Sequence, residues 1–256
     1  MSPFAPGTLA MAGLLATRIG GALLIAPVFS AQPVPRMLRV TLLALLTMTA
    51  LPALLAGAAA PPVLSPATFL AEMLVGFAIG MGAAVFVGAA EVAGDLIGVQ
   101  SGLSGAATLD PFTLAHTTAL ADFMKMLVVV LILSLDGHIL ILEALTASTQ
   151  LIPVGAGIAA EQGLAALVAT GGRLFSIGVQ IAAPVTAAVL VSNLAMGVLA
   201  RIAPQLQVFM LAYPLQIMVG LFTLAMALPL IATLFTDWPG HYRGLVTQLL
   251  EALGGR

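Results

Sequence analysis

The chain has 256 residues, of which 61% are hydrophobic and only 7% are charged, and its formal net charge is −2. A chain of this composition belongs in a bilayer or buried in an assembly, and its charge gives no indication of nucleic acid or of an acidic partner. Because it contains no cysteine, disulfides, thiol catalysis and thiolate metal sites are excluded.

The predicted elements are all helices, and they follow from long apolar runs. The first charge is Arg18, already inside the first run, so we expect that run to remain in the mature protein rather than to be cleaved as a signal peptide. The predicted helices cover roughly 7–30, 37–56, 67–94, 119–135, 138–152, 164–201 and 205–235. The runs on either side of Asp136-Gly137-His138 are each shorter than the ~20 residues of a spanning helix, which predicts a helical hairpin or one interrupted helix. Pro204 predicts a turn between the last two helices.

The positive-inside rule gives no consistent topology for these runs. Arg36 and Arg39 would place the first loop in the cytoplasm, and six simple spans would then leave Arg243 and Arg256 outside. Two explanations stay open: the spans are miscounted, or the helices do not cross a bilayer in the ordinary way.

A Gly-rich polar segment interrupts the apolar pattern at residues 91–111, EVAGDLIGVQSGLSGAATLDP. Backbone at membrane depth must be helical unless it is buried in protein or lines a watery cavity. This segment is a poor lipid-facing helix, and we interpret it as the lining or the stopper of a passage.

Polar side chains also occur inside the apolar runs, where an ionisable group costs ~3 kcal/mol on insertion scales. They should therefore face protein or water, either in structural pairs or in contact with an ion or substrate. Glu91 and Asp95 would then hold a cation from a neighbouring element. The set comprises Arg18, Glu72, Glu91, Asp95, Lys125, Arg173, Gln180, Asn193 and Gln216.

Small residues recur at a spacing of four, which places them on one helix face and permits close helix–helix approach. The contact could lie within the chain or between subunits. The two stripes are Gly76, Gly80, Ala84 and Gly88, then Gly94, Gly98 and Gly102. Prolines inside the runs, at 27, 52, 184, 214 and 229, predict kinked helices that suit a spiral or funnel-like assembly.

Catalytic motifs are absent from the sequence. The histidines are His116, His138 and His241, and none has a metal-ligand spacing. There is also no nucleophile elbow, phosphate loop or dinucleotide fingerprint. We therefore predict that the chain is not an enzyme and holds no cofactor or metal.

The tail predicts one amphipathic helix over residues 240–253, GHYRGLVTQLLEAL. It is too short to span a membrane, so we expect it to lie at the membrane surface or on a partner protein. The apolar stripe would contain Tyr242, Leu245, Val246, Leu249, Leu250 and Leu253.

An ordered set of residues resembles the FliR family, whose members belong to flagellar and other type III export gates. The central signature is Ala93-Gly94, Gly98, Gln100, Gly102-Leu103 and Asp110-Pro111, and it is followed by Arg201, Pro204 and Gln205. Matches elsewhere include Arg18, Pro27, Pro35, Arg36, Glu72, Gly76, Gly80, Gly137, His138, Asn193, Gly197, Pro214 and Pro229. Leu206-Gln207 departs from the family pattern.

The resemblance implies an all-α membrane protein built of kinked helical hairpins, one protomer of a spiral hetero-oligomeric export gate. It implies FliP-like and FliQ-like partner subunits, a FlhB-like protein at the gate base, unfolded export substrates and contact with membrane lipids of the bacterial inner membrane, in a gate partly raised above it. A FliP-like part would cover about 1–163, a FliQ-like hairpin about 164–235 and the tail 236–256.

The resemblance also implies a plug, and together with the glycine spacing and the polar groups inside the apolar runs it gives the candidate site residues. The plug would be residues 98–115, with Gly98, Gln100, Gly102, Leu103, Gly105, Asp110 and Pro111. Assembly contacts would involve Gly76, Gly80, Gly88, Gly94 and Gly197. Buried polar groups would be Arg18, Glu72, Glu91, Asp95, Asn193 and Arg201. The rival readings are a stand-alone secondary transporter or ion channel, which would use the buried charges as an ion path, and a structural membrane protein with no passage.

Overall fold

The computed structural model describes residues 6–30, 34–57, 62–103, 118–203 and 208–255. In these ranges all regular secondary structure is helical, which confirms the all-α prediction. The helices are α1 (Pro6–Ile25), α2 (Pro27–Ser30), α3 (Arg36–Gly57), α4 (Pro66–Gln100), α5 (Ala119–Ser134), α6 (Gly137–Leu151), α7 (Ala160–Ile202), α8 (Val208–Thr236) and α9 (Trp238–Gly254).

Two helix boundaries differ most from the sequence prediction. The first predicted run is broken at Ala26, and Pro27 starts the short helix α2, a position that proline favours because its missing N–H is not needed there. Helix α4 continues to Gln100, six residues beyond the predicted end. Glycine weakens an isolated helix by ~1 kcal/mol, but Gly94 and Gly98 are buried against other backbone or side-chain atoms, so packing can offset that cost.

The helices have membrane-spanning dimensions. Within the described ranges, five helices are long and apolar enough to cross a bilayer, and the pair α5–α6, bent by 69°, would make a sixth span. The bend lies at Asp136, which adopts the left-handed conformation with φ 57°. The membrane character of the chain and the predicted interruption at Asp136-Gly137-His138 are therefore confirmed.

The chain divides into two compact units. Unit 1 comprises Met1–Val85, Ile132–Gly171 and Trp238–Arg256, and unit 2 comprises Phe86–Leu131 and Gly172–Asp237. The predicted division at about residue 163 lies inside α7 and stays a prediction.

In unit 1, the backbones of α1 and α4 approach closely because glycines face the contact. A Cβ on Gly80 would lie 2.8 Å from the carbonyl oxygen of Ala22, and one on Gly76 would collide with the carbonyl oxygen of Arg18. A larger side chain at either position would separate the two helices. The small-residue stripe is thus an in-chain contact at Gly76 and Gly80.

Helix α9 corrects the prediction made for the tail. The amphipathic helix is present, but its whole apolar stripe is buried within this chain, so that stripe is not available to a membrane or a partner. A Cβ on Gly82 of α4 would lie 2.6 Å from Val246, and one on Gly163 of α7 would collide with Leu253. The prediction that a membrane surface or a partner covers the stripe was wrong, because a short amphipathic helix can pack on the core of its own chain as readily as on a partner.

Several helices bury little of their surface within the chain. In the most apolar stretch of α3 only 6% is buried, compared with 28% for α7 and 22% for α8. Large apolar side chains such as Met37, Met48 and Val168 are at least 70% exposed. These faces must be covered by lipid or by other protein chains.

Candidate functional site

A closed polar network lies in the core of unit 1. The guanidinium of Arg18, on α1, donates from Nε to Oε2 of Glu72 at 2.6 Å and from Nη2 to Oε1 at 3.1 Å. The two side chains are 0% and 2% exposed. This bidentate geometry matches the planar fork of arginine to a carboxylate.

The end of α6 completes this network. Nη1 of Arg18 donates to Oγ of Ser148 at 3.2 Å and to the carbonyl oxygen of Ile152 at 2.9 Å, while the backbone N–H of Gly155 donates to Oε1 of Glu72 at 2.8 Å. Four of the five guanidinium N–H groups therefore have acceptors. Because a buried ion pair is tolerated only when its remaining groups are hydrogen-bonded, this arrangement is structural and offers no free carboxylate to an ion.

In unit 2, the side chain of Asp95 on α4 holds the start of α5. One carboxylate oxygen, Oδ1, accepts from both the backbone N–H and the hydroxyl of Thr118, each at 3.0 Å. The Thr118 hydroxyl oxygen in turn accepts from the N–H of Ala121 at 3.1 Å, as an N-cap does. Asp95 was expected to hold a cation; instead its hydrogen bonds go to a helix start.

Two glycines let α5 approach α4 at this point. A Cβ on Gly94 would lie 2.5 Å from Cα of Ala121 and 2.7 Å from the carbonyl oxygen of Leu120. A Cβ on Gly98 would lie 2.8 Å from Oγ1 of Thr118. Any larger residue at either glycine would break the contact that Asp95 makes.

The chain leaves α4 through a turn that is packed on α8. Gly102 has φ +73°, which favours glycine, and a Cβ there would lie 3.2 Å from the ring of Tyr213. Ser101 is 1% exposed, and its side chain lies so close to Gly220 that a Cβ at that glycine would overlap it. Both ends of segment 104–117 are therefore held within unit 2: one at Ser101 and Gly102, the other at Thr118.

The structure thus places part of the predicted plug. Gly98 and Gln100 are the last residues of α4, and Gly102 and Leu103 form the turn after it. Gly105, Asp110 and Pro111 lie outside the described residues, as do Pro204 and Gln205.

The other predicted polar residues are exposed or half-buried. Lys125 pairs with Glu91, with Nζ 3.1 Å from Oε2, so Glu91 does hold a cation. Nε2 of Gln216 donates to Oδ1 of Asn193 at 2.5 Å. Arg201 is exposed at the end of α7.

The remaining predicted assembly glycines, Gly88 and Gly197, differ in their surroundings. A Cβ on Gly88 would lie 2.6 Å from Leu174 of α7, so it is another in-chain contact. A Cβ on Gly197 would meet no other described atom within 4 Å, so this glycine opens to the outside of the chain.

Gly155 and Thr118 contribute to these sites and were not predicted, and neither was the contact of Ser148 with Arg18. Ser148 and Gly155 are ordinary residues of an apolar helix and its following loop, and only the fold brings them to Arg18 and Glu72. Thr118 had a usable signal, since a threonine just before an apolar run is typical of an N-cap.

Comparisons with known proteins agree on one family. Residues 9–240 match the family described as bacterial export proteins, family 1. The chain is 34% identical to the flagellar biosynthetic protein FliR of Escherichia coli K12 over 81% of this chain and 80% of that protein. It is 32% identical to the FliR of Caulobacter vibrioides over 92% and 94%, and 32% identical to that of Pectobacterium carotovorum over 88% of each.

Proposed function

The chain belongs to the bacterial export proteins, family 1, and we propose that it is a core subunit of the flagellar type III protein export gate. The relatives that it matches at 32% and 34% identity are flagellar biosynthetic proteins, so a role in flagellar export follows from the family. More specifically, we propose that the chain helps to form and seal the channel through which unfolded substrates pass. We place the chain in the bacterial inner membrane at the flagellar basal body, in a gate that is partly raised above the membrane plane.

The observation that carries this proposal is the exposed polar face at the end of α7. Asn193, Gly197 and Arg201 are spaced by four residues, so they share a face, and all three are exposed. Asn193 lies inside the span, where a polar group is costly against lipid and normally faces protein or water. An exposed face of this kind on a helix only 28% buried favours contact with other subunits, for which we propose FliP-like and FliQ-like proteins.

The seal is proposed for the segment that follows α4. Its two ends are held by Gly102 and Ser101 on one side and by Asp95 and Thr118 on the other. A segment with fixed ends can close a passage without carrying its supporting helices along when it moves. Residues 98–100 belong to α4, so we assign them to the fixed base and propose residues 104–115 as the sealing part.

A subunit test uses co-purification with FliP-like and FliQ-like partners in mild detergent. We expect the wild-type chain and Gly244→Leu to be recovered in a hetero-complex, because Gly244, on α9, also faces open space but not on the polar face of α7. We expect Gly197→Leu to remain folded and to lose the complex. A stable homo-oligomer that forms without partners, and no complex with them, would contradict the proposal.

A sealing test uses ion efflux from vesicles that contain the assembled gate. Deleting residues 106–113 should raise efflux while the complex persists, and Asp95→Ala should raise it less by releasing only one end of the segment. Glu91→Gln, which removes a carboxylate one turn away in a pair that is 27% and 47% exposed, is the matched control and should leave efflux unchanged. Background efflux from an assembled deletion variant would show that the segment is not the seal.

The transporter alternative has less support from the site. It requires buried carboxylates that can exchange ions, whereas Glu72 is bound to Arg18 and Gly155, and Asp95 is bound to Thr118. The FlhB-like partner stays a prediction, but the apolar stripe of α9 is not its docking site because that stripe is buried in the chain.

A further inference from the structure

A second feature of unit 1 is an apolar cavity of about 340 Å³ beside the start of α3. It is bounded by α1, α2, α3, the end of α5 and the start of α6. Seven of its nine lining residues are apolar, and the other two are Arg39 and His138. Nothing in the network of Arg18 or in the proposed seal uses this cavity.

The two polar residues are the groups of this cavity that can bind a charged or hydrogen-bonding ligand. Nη2 of Arg39 donates to the carbonyl oxygen of Ser30 at 3.0 Å, which fixes the guanidinium at the end of the cavity near α2. Nδ1 of His138 is buried and has no hydrogen-bond partner among the described residues. A buried polar atom without a partner is costly, and a turn of the partly exposed imidazole that brings Nδ1 to a ligand in the cavity would remove that cost.

The position of the cavity along the helices narrows the choice of ligand. Arg39 is in the first turn of the candidate span Arg36–Ala56, and basic residues at the end of a span lie at the depth of lipid headgroups. The cavity continues along apolar side chains such as Leu23, Leu42 and Leu133. A basic residue at headgroup depth beside a row of apolar side chains is the arrangement expected of a site that binds the headgroup and an acyl chain of one lipid.

We propose that this cavity binds one anionic phospholipid, with its phosphate on Arg39 and His138 and part of an acyl chain among the leucines. The start of α6 adds to the attraction, because His138 is the second residue of that helix and helix N-termini favour anions. Asp136 precedes the helix but is exposed, so solvent screens its charge. The inference does not depend on the export role.

Trp238 provides a reporter for this site. It is the chain's only tryptophan, and its ring lies 2.9 Å from the position of a Cβ on Gly137, the residue before His138. Phospholipids with brominated acyl chains quench tryptophan fluorescence on close approach. The full-length chain in neutral detergent is titrated with dibromo-phosphatidylglycerol and, separately, with dibromo-phosphatidylcholine.

We expect the association constant for phosphatidylglycerol to exceed that for phosphatidylcholine by about fivefold, the factor typical of one basic residue near an anionic headgroup. Arg39→Gln should bring the ratio close to one, whereas His138→Phe should lower both association constants, because both lipids carry the phosphate that His138 would contact. Arg36→Gln is the matched control, because Arg36 is an exposed arginine at the start of the same helix that does not line the cavity. It should preserve the ratio.

A cavity-filling variant tests the acyl-chain part and remains informative if Arg39→Gln does not fold. Leu42→Phe should weaken quenching by both lipids, while Met37→Phe, at a position 80% exposed, should not. Equal association constants for the two lipids in the wild-type chain would overturn the proposal, as would an equal loss of preference in Arg36→Gln and Arg39→Gln. Relief of quenching by millimolar inorganic phosphate would assign the polar groups to a free anion instead.

Discussion

The Arg18–Glu72 pair permits a quantitative test of how unit 1 is stabilised. Glu72→Gln keeps the size of the side chain but removes the charge that balances Arg18 at the centre of the network. Breaking a buried pair by removing one partner costs about 3–5 kcal/mol, because the remaining charge is left uncompensated. Glutamine presents an amide NH₂ at one of the two acceptor positions, so either the Nε donor alone, or both the Nη2 donor and the Gly155 N–H, also lose their acceptor.

Glu72→Gln should lower the melting temperature by a readily measured amount. For a chain of this size, 1 kcal/mol shifts the melting temperature by roughly 2–4 °C, so Glu72→Gln should lower it by roughly 6–20 °C. The measurement is thermal unfolding of the full-length chain in mild detergent, followed by circular dichroism and by Trp238 fluorescence. Trp238 reports on unit 1, to which it belongs.

Two further variants make the reasoning refutable. Glu143→Gln removes a carboxylate from the pair with Arg243, whose side chains are 58% and 64% exposed, and it should shift the melting temperature by no more than about 4 °C. The double variant Arg18→Met, Glu72→Leu removes both charges and should recover much of the loss. If Glu72→Gln is no more damaging than Glu143→Gln, the network does not stabilise unit 1.

Three other outcomes follow from the packing. Gly80→Leu should prevent folding of unit 1 and lower recovery from detergent, whereas Gly197→Leu should leave recovery of the single chain unchanged; equal recovery of both would refute the close contact at Gly80. Truncation after Trp238 should lower the melting temperature of the isolated chain, because it removes the buried stripe of α9; an unchanged melting temperature would show that the stripe adds nothing to the core. Burial raises the pKa of the Tyr242 phenol, whereas the phenol in the unfolded chain ionises near pH 10. The stability contributed by the neutral phenol should therefore be present below pH ~10 and be lost as the pH rises above it. The free energy of unfolding should fall by up to about 1.4 kcal/mol per pH unit. Tyr242→Phe should remove this loss, the exposed Tyr213→Phe should retain it, and equal alkaline profiles in the two variants would contradict the assignment.

The sequence predicted helix positions well because apolar run length is a strong signal in a chain with so few charges. All seven predicted helices and the tail helix begin within four residues of their predicted starts, and the interruption at Asp136 was found from a short polar tripeptide. The extension of α4 to Gln100 was missed, because glycine and polar content indicate a break only if no neighbour packs on them. In the structure, Gly94 and Gly98 are the places where α5 packs, so the same residues that suggested a loop stabilise a helix contact.

The buried polar groups were identified from the sequence, but their partners were not. Arg18 and Glu72 are 54 positions apart, and no local spacing relates them. Asp95 was expected to meet a cation because ion pairing is the usual way to bury a carboxylate. Two hydrogen bonds from one threonine at a helix start serve the same purpose without a second charge, and only the position of α5 reveals them.

The polar residues of this chain fall into two groups: those whose hydrogen bonds are complete within the chain, and those that remain exposed. Arg18, Glu72 and Asp95 bond to groups of the chain itself, so their chemistry is complete before any partner binds. Asn193 bonds to Gln216 yet remains exposed, and Arg201 is exposed on a helix that has few neighbours. A residue whose bonds are complete inside the fold affects function through stability, whereas an exposed polar residue on an apolar helix acts on what covers that helix. Substitutions at Arg18 or Glu72 should therefore reduce the amount of folded chain, and substitutions at Gly197 or Arg201 should reduce assembly at an unchanged amount of chain. Comparing those two quantities in the same preparation assigns each residue to its role, whichever protein covers the helix.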